Sequence, residues 1–487
     1  MPSASSFAGL SLNRGWFSTL LYYLASGGII AALSFTIIEQ EIRLALTLVL
    51  ALTFVAFALK DIRLATIATL VYLIVMGDLR RMLIPLVGWS GTDPLLLIGP
   101  AYAVITVAAA LVLRKTRFNT TLAPWILALM AVMILQIFNP RQGGMMVGVA
   151  GALFYIVPLL WYWIGQSFAS TGYVHTVLYR VILPLGGVAI IMGLYQVFYG
   201  YLPYQEMWFQ CCAYTALDSA GIQAPISLFA SSIEYSLFSL IAATILWVRF
   251  LLKKDYAALL AIIPFLVASF LMGSRGPIAQ FLVMAAALWA VLADNVRTWI
   301  LRGLIGVVVG GILLVTGLNV ISKQATTISN DRVQFRMQRQ ADGFLNIADP
   351  DKSTATIHLM MMVHGFSNGI TNPLGNGLGS TTQAAHKFKS GVAGSSEVDM
   401  SNLFLSTGVV GGTLYLIIVF LTIKQSIQYW SRSHSVVALC IAGILALTFL
   451  NWLEGGRYAV TTIVWFLIGV LDRLNAEHSS PSDLSAT

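Results

Sequence analysis

Residues 270–281, FLMGSRGPIAQF, place one arginine, Arg275, between two glycines, with a long apolar run on each side. A guanidinium is costly in hydrocarbon and cheap in a loop at a membrane surface. The stretch therefore reads as two membrane helices joined by a short polar turn, and the fold follows from how often that pattern recurs. Apolar runs near the roughly 20 residues needed to cross a bilayer continue along almost the whole chain. Of its 487 residues, 58% are hydrophobic and 10% charged, and the mean hydropathy is +0.82. A soluble domain carries about 25% charged residues, so this chain is solvated mainly by lipid. A membrane barrel would show short alternating segments instead. The sequence is that of an all-α polytopic membrane protein.

Fourteen candidate spans can be drawn: 16–37, 43–59, 63–77, 94–113, 121–138, 146–165, 181–199, 231–250, 256–272, 277–293, 298–318, 402–423, 435–453 and 459–473. The first is too long for a signal-peptide core and lacks a small-residue cleavage site, so it is read as a span. Residues 1–318 then form a bundle of spans one to eleven, interrupted by a 200–230 loop. Residues 319–401 form one large extracytoplasmic loop whose composition suggests short helices lying on the bundle. Residues 402–473 hold spans twelve to fourteen, and 474–487, with the Ser-rich SSPSDLSAT, form a cytoplasmic tail. Lys and Arg in the short loops set the orientation. With the N-terminus in the cytoplasm, fifteen of them fall inside and six outside, namely Arg43, Arg80, Arg81, Arg141, Arg275 and Arg457. Both termini are thus predicted cytoplasmic and Arg275 extracytoplasmic. Span 63–77 is the weakest, barely long enough to cross.

The net charge of +8 is modest for this length and is read through its distribution, not as a nucleic-acid footprint. Three cysteines rule out a disulfide framework. Cys211 and Cys212 are neighbours that can pair only with strain, and Cys440 lies in an apolar run. Within the spans, the notable polar residues are Glu234, in FASSIEYSLF, and Gln136, Gln166, Gln196 and Gln280. Ionisable groups inside a membrane are functional candidates by default, although Glu234 lies near the end of its span, within reach of water.

In NDRVQFRMQRQADGF, Arg332, Arg336 and Arg339 are spaced i, i+4, i+7 on one helical face. They suit either a helix at the headgroup surface, its arginines meeting lipid phosphates, or an anion-binding stripe over a substrate groove. NPLGNGLGS, 372–380, alternates glycines that permit positive φ and close backbone approach. It lacks the Gly-Lys-Ser/Thr and βα setting of a nucleotide P-loop and reads as a turn or a backbone cradle. Glu397 and Asp399 stand before span twelve, where a carboxylate accepts a hydroxyl proton or simply faces a helix N-terminus. Asp349 and Asp351, in DPD, mimic an Asp-x-Asp metal site on the wrong side of the membrane for nucleotide sugars. No His/Cys cluster has metal-ligand spacing. His358 and His364, six apart, fall on different helix faces and read as surface residues. The aromatic GYLPYQEMWFQCCAY suits an interfacial belt or a sugar-stacking platform.

Taken in order, FASSIEYSLF (229–238), GSRGP (273–277), NPLGNGLGS (372–380) and NLFLSTGVVGG (402–412) make the chain resemble the O-antigen ligase and polysaccharide polymerase (Wzy-type) family of bacterial envelope enzymes. The resemblance covers about 225–425; the first two hundred residues match only as hydrophobic spans. It implies a C-type (GT-C-like) glycosyltransferase in the bacterial inner membrane. Such an enzyme takes a glycan from an undecaprenyl-pyrophosphate carrier at the outer face, inverting at the anomeric carbon, without a metal or other cofactor. The arginine of the Ser-Arg-Gly motif, held to bind the pyrophosphate, is Arg275 here. Its expected helpers are Arg80, Arg81, Arg141, Arg457 and the stripe Arg332, Arg336 and Arg339, with Glu234, Gly377 and Asn402 also at the substrate and Glu397 or Asp399 taking the acceptor proton. Ligases of this family carry a His-Asn pair before the late span, where this chain has Ser401-Asn402. That departure favours a polymerase, whose acceptor is another carrier-linked repeat unit, over a ligase acting on lipid A-core or protein. A chain-length regulator and a flippase are the partners such an enzyme implies. The rival from another class is a transporter or flippase, for which midplane sites on repeated, broken helices are expected.

Overall fold

The computed structural model describes residues 41–168, 170–212, 218–219, 221–325, 327, 329–349, 351–382, 385, 398–453 and 457–477. The expected span 16–37 and the candidate Glu397 lie outside them. The described chain is helical apart from one short antiparallel pairing, Asp218–Ser219 with Ile222–Gln223. In order, the helices are α1 (Ile42–Lys60), α2 (Ile62–Met82), α3 (Ile84–Val87), α4 (Ile98–Val112), α5 (Ala123–Gln136), α6 (Met145–Phe168), α7 (Thr171–Phe198), α8 (Pro203–Cys212) and α9 (Ser232–Lys253). They continue as α10 (Tyr256–Met272), α11 (Gly276–Val291), α12 (Val296–Ala325), α13 (Asp331–Leu345), α14 (Ala355–Thr371), α15 (Asp399–Ser433), α16 (Val436–Thr448) and α17 (Tyr458–Glu477).

Among the described residues, nine helices are long and apolar enough to cross a membrane, counting α4 with the 3-10 turn that starts at Pro94. Helices α5, α10, α11 and α16 are apolar but shorter. Every expected span from 43–59 onward falls on one of these helices. The molecule is therefore an all-α, membrane-embedded protein. The span read as weakest, 63–77, belongs to the full 21-residue helix α2. Its C-terminal turn carries Asp78, Arg80 and Arg81, which lowered its apparent hydropathy; Arg81 pairs with Asp78 and Arg80 with Asp93, so these charges are neutralised where they stand.

Burial separates centre from rim. In α17 and α9, 89% and 78% of the spanning window is buried in protein, against 6% in α12 and 11% in α1. Helix α9 packs on α10, α16, α7 and α11, and α17 packs along α6. There Gly165 and Gly469 let the two backbones touch, since a Cβ at either would overlap a carbonyl oxygen of the partner helix. One end of the bundle is fastened by buried Asp472, which accepts from Gln425 at 2.7 Å and from the Tyr162 hydroxyl. Cys211 and Cys212 form a disulfide at the end of α8, and Cys440 is a buried free thiol.

Two boundaries depart from expectation. Helix α12 runs to Ala325 and, at 30 residues, is about 45 Å long at 1.5 Å per residue. The span drawn at 402–423 is broken instead. Gly408 takes φ 71°, so α15 is a short first segment, 399–407, followed by a long one, 409–433. The break frees the Leu405 and Ser406 carbonyls, which accept the N–H groups of Asn376 and Gly377 at 2.9 and 3.0 Å, while Val409 donates to Pro373. NPLGNGLGS is thus the strap of a broken helix, and two of the four resemblance motifs form a single joint. Helix α14 lies along the first segment of α15, where Gly369 admits Phe404. Its Ile357, Leu359, Met360, Val363 and Ile370 stay exposed, as on a helix that meets lipid.

Candidate anion-binding cavity

At the end of the bundle opposite Asp472, helix α10 stops at Gly273, whose φ of 101° ends it in a left-handed cap, and α11 begins at Gly276. Arg275 stands at the turn. Its Nη1 donates to the Lys352 carbonyl at 3.1 Å. Its guanidinium lies over Gly343 of α13 so closely that a Cβ there would sit 1.2 Å from Nη1. Glycine at 343 is what gives the side chain room.

Helix α13 docks on the exposed end of α10. Helix C-termini leave carbonyls without intrahelical partners, and here the Leu271 carbonyl accepts Arg336 Nη1 at 3.2 Å and the Phe270 carbonyl accepts Gln340 Nε2 at 2.9 Å. Arg336 also donates to the Gln223 carbonyl. On its apolar side Val333 packs with Val197 and Leu271. The helix is thereby held flat over the turn that carries Arg275.

Between these elements lies a cavity of about 550 Å³. Arg275, Arg336, Arg339 and Arg457 line it, with Gln280, Gln340, Asn451, Ser353, Thr354 and His358 as further polar groups. Ile222, Ile233, Met272, Phe335, Phe344, Ile347 and Leu450 supply apolar walls, and no described lining residue is a carboxylate. Helices α11, α14, α15 and α17 all begin at or beside this wall, and helix N-termini favour negative charge. Arg336 Nε, Gln340 Oε1 and Gln280 Oε1 are buried without a hydrogen-bond partner. Buried polar groups are normally satisfied, so the cavity holds unused recognition capacity. Partial burial, and then the neighbouring charge of Arg339, draw the Arg275 pKa below its ordinary value. Burial does the same to Arg336. In both cases an entering anion would relieve the cost of the charge.

Of the residues singled out in the sequence, the fold brings Arg275, Arg336, Arg339 and Arg457 together here, from three separate segments. Arg332, one turn earlier on α13, is exposed beside Gly200. Arg80 and Arg81 are buried elsewhere, in a paired cluster. Asp93 accepts from Arg43 and from Arg80 at 3.1 Å, and Arg80 also lies over the Trp89 ring. Arg81 pairs with Asp78, donates to the Phe229 carbonyl at 2.8 Å and lies over buried Trp208. Trp208 is therefore scaffolding inside the loop that read as a belt or platform. Arg141 is exposed near Asn372.

Glu234 follows Ser231 in a capping-box pattern, and its backbone N–H is capped by the Ser231 hydroxyl. Its carboxylate turns away to accept the Ala459 N–H at 2.7 Å, capping the start of α17. Asp399 is fully buried, its Oδ2 taken by the Leu453 N–H at 2.6 Å and the Tyr415 hydroxyl at 3.4 Å. Gly377 packs on Gln142, and Asn402 is buried inside α15. Asp349 and Asp351 shape the turn before α14. Sequence reasoning missed Gly343, Gln340, Asn451 and the cavity position of His358. None carries a local signal, because each matters only through segments distant in the chain. No family model matches this chain, and no curated protein matches it.

Proposed function

We propose that this chain is a bacterial membrane glycosyltransferase of the polysaccharide-polymerase type. In this reading fourteen spans of a GT-C-like bundle, the first at 16–37, cross the inner membrane with both termini in the cytoplasm. The cavity then faces the extracytoplasmic side. An undecaprenyl-pyrophosphate-linked oligosaccharide places its pyrophosphate among Arg275, Arg336, Arg339 and Arg457, and its glycan passes to a hydroxyl of a second carrier-linked repeat unit. The observation that carries this reading is the charge of the cavity: four guanidiniums, apolar walls and no described lining carboxylate. That combination fits an amphiphile with a polyanionic head better than a free sugar or a neutral lipid.

The chemistry follows from the charge. As the anomeric C–O bond breaks, the leaving pyrophosphate gains negative charge, so fixed guanidiniums stabilise the transition state more than the ground state. Arginine stays protonated beside lipid and grips phosphate oxygens with two donors. The resemblance implies a single inverting displacement with this charge carried by arginine in place of a metal. Mass analysis of carrier-linked glycans in the native bacterium with the gene deleted is the test. Single repeat units stranded on the lipid are expected. Long carrier-linked chains would make the enzyme a ligase, and an unchanged lipid pool with surface polymer intact would overturn the transferase reading in favour of transport.

A further inference from the structure

Two helices begin at the cavity with an arginine in the cap position. The Arg275 carbonyl accepts the Ala279 N–H at 3.1 Å and opens α11, and the Arg457 carbonyl accepts the Thr461 N–H at 3.0 Å and opens α17. A cap side chain normally accepts the N–H of the second or third helical residue, which is why Ser, Thr, Asp and Asn are preferred there. Elsewhere in this chain Asp61, Ser231, Asp255, Asn330 and Ser435 do so for their own helices. Arginine has no acceptor, and its charge has the wrong sign for a helix N-terminus. Both starts break a local rule, and departures of that kind gather at functional sites and are compensated elsewhere. In α11 the second residue is Pro277, which has no N–H to satisfy. In α17 the second residue is Ala459, and its N–H goes to Oε1 of Glu234, on α9.

We propose that Glu234 is the positioning residue of Arg457, an inference that rests on the transferase reading. Its carboxylate caps α17 from another helix, which leaves position 457 to an arginine on the cavity wall. The Val460 N–H and the Arg457 charge act on the same carboxylate. One buried group thus serves the second and third residues of α17 and offsets the charge that replaced their cap. Glu234 is itself fixed in the first turn of α9, where the Ser231 hydroxyl accepts its N–H at 3.3 Å and its neighbour Ile233 lines the cavity. Thr461 fastens the other side, its hydroxyl donating to the Arg457 carbonyl at 2.8 Å. Glu234 is not among the lining residues, so it acts on the pyrophosphate only through Arg457. What FASSIEYSLF brings to the site is a fixed start for a second helix, in place of the substrate contact that the resemblance implied.

The experiment uses the purified full chain and reads its affinity for inorganic pyrophosphate alongside its melt. Arg457→Ser removes the guanidinium and supplies a cap of its own. It is expected to fold and to weaken binding by about 10–100-fold, the loss of one hydrogen bond to a charged group. Glu234→Ala should weaken binding to a similar extent and lower the Tm, and Glu234→Gln, which keeps an acceptor oxygen, should restore both. In the Glu234→Ala/Arg457→Ser double variant the Tm should recover, with binding no weaker than in Arg457→Ser alone. Combined with Arg339→Ala, the Glu234→Ala loss should multiply, as for independent sites; a merely structural role would multiply in both backgrounds. Multiplied losses with Arg457→Ser, or native-like binding by Glu234→Ala, would overturn the proposal and leave the transferase reading standing. Failure of Glu234→Gln to restore binding would also overturn it. So, where Glu234→Ala does not fold, would a double variant that stays unfolded. A native protein that binds neither inorganic nor undecaprenyl pyrophosphate would remove the transferase reading itself.

Discussion

Two groups of arginines occupy the same end of this bundle and are built to opposite rules. Arg43, Arg80 and Arg81 are each within a few per cent of full burial, and carboxylates of Asp93 and Asp78 neutralise them in place. Arg275, Arg336, Arg339 and Arg457 surround open space that no described carboxylate enters. The first group spends its donors on the protein: Arg81 holds the carbonyls of Ser227 and Phe229, and Arg43 that of Gly88. The second also donates to backbone carbonyls, Arg336 to Leu271 and Gln223 and Arg275 to Lys352, and differs in lining a cavity with no described carboxylate. An arginine at the end of a membrane helix can thus serve either as an internal rivet or as part of a cavity wall, and charge counting alone does not separate the two.

The sharpest way to break this contrast is to remove a carboxylate from the first group. Asp93→Ala strands Arg43 and Arg80 together in a buried site, and loss of one partner of a buried pair costs about 3–5 kcal/mol. Denaturant or thermal unfolding in detergent should register that loss, and a native-like melt would mean the group is not a rivet. Arg275→Ala should do the reverse, melting normally while transfer falls by about 10²–10³-fold, as when one donor to a developing charge is deleted. Arg275→Lys should fall between, because it keeps the charge and loses the fork. Inorganic pyrophosphate should raise the Tm of the native chain by mass action and leave Arg275→Ala unmoved.

A subtler change tests whether geometry, and not charge alone, sets the second group. In Gly343→Ala the new methyl meets the mobile end of Arg275, so the guanidinium swings aside while the helix holds. A small shift in Tm is expected, with a 10- to 100-fold loss of transfer, the scale of an ångström-sized misplacement. The loss should vanish in an Arg275→Ala background, which a double-mutant cycle would measure. Full additivity would place the effect of Gly343 elsewhere. Least of all should come from Arg141→Ala and Arg332→Ala, exposed residues outside both groups, with stability within about ±0.5 kcal/mol and transfer unchanged.

The sequence made most of the architecture legible because the membrane enforces it. A backbone in hydrocarbon must satisfy its own hydrogen bonds, so long apolar runs become helices, and each expected span within the described residues did. The arginine spacing in 331–345 likewise announced an amphipathic helix, since periodicity is local information. Residues whose roles depend on tertiary partners were not legible. Glu234 looked like a stray intramembrane acid until the start of α17 arrived beneath it. NPLGNGLGS read as a turn or a backbone cradle, and its backbone closes the gap at Gly408.

What the sequence by itself determined, then, is the class of molecule: composition and run length decide which solvent surrounds it and force it to be helical. Only the tertiary structure decided which charges meet. Arg275 and Arg339 belong to different segments, and so does Arg457, more than a hundred residues beyond either. Their convergence around one cavity depends on helix ends that pack together across the bundle. No periodicity within a single segment encodes that meeting, because the contacts that create it are made by side chains with no neighbours in sequence.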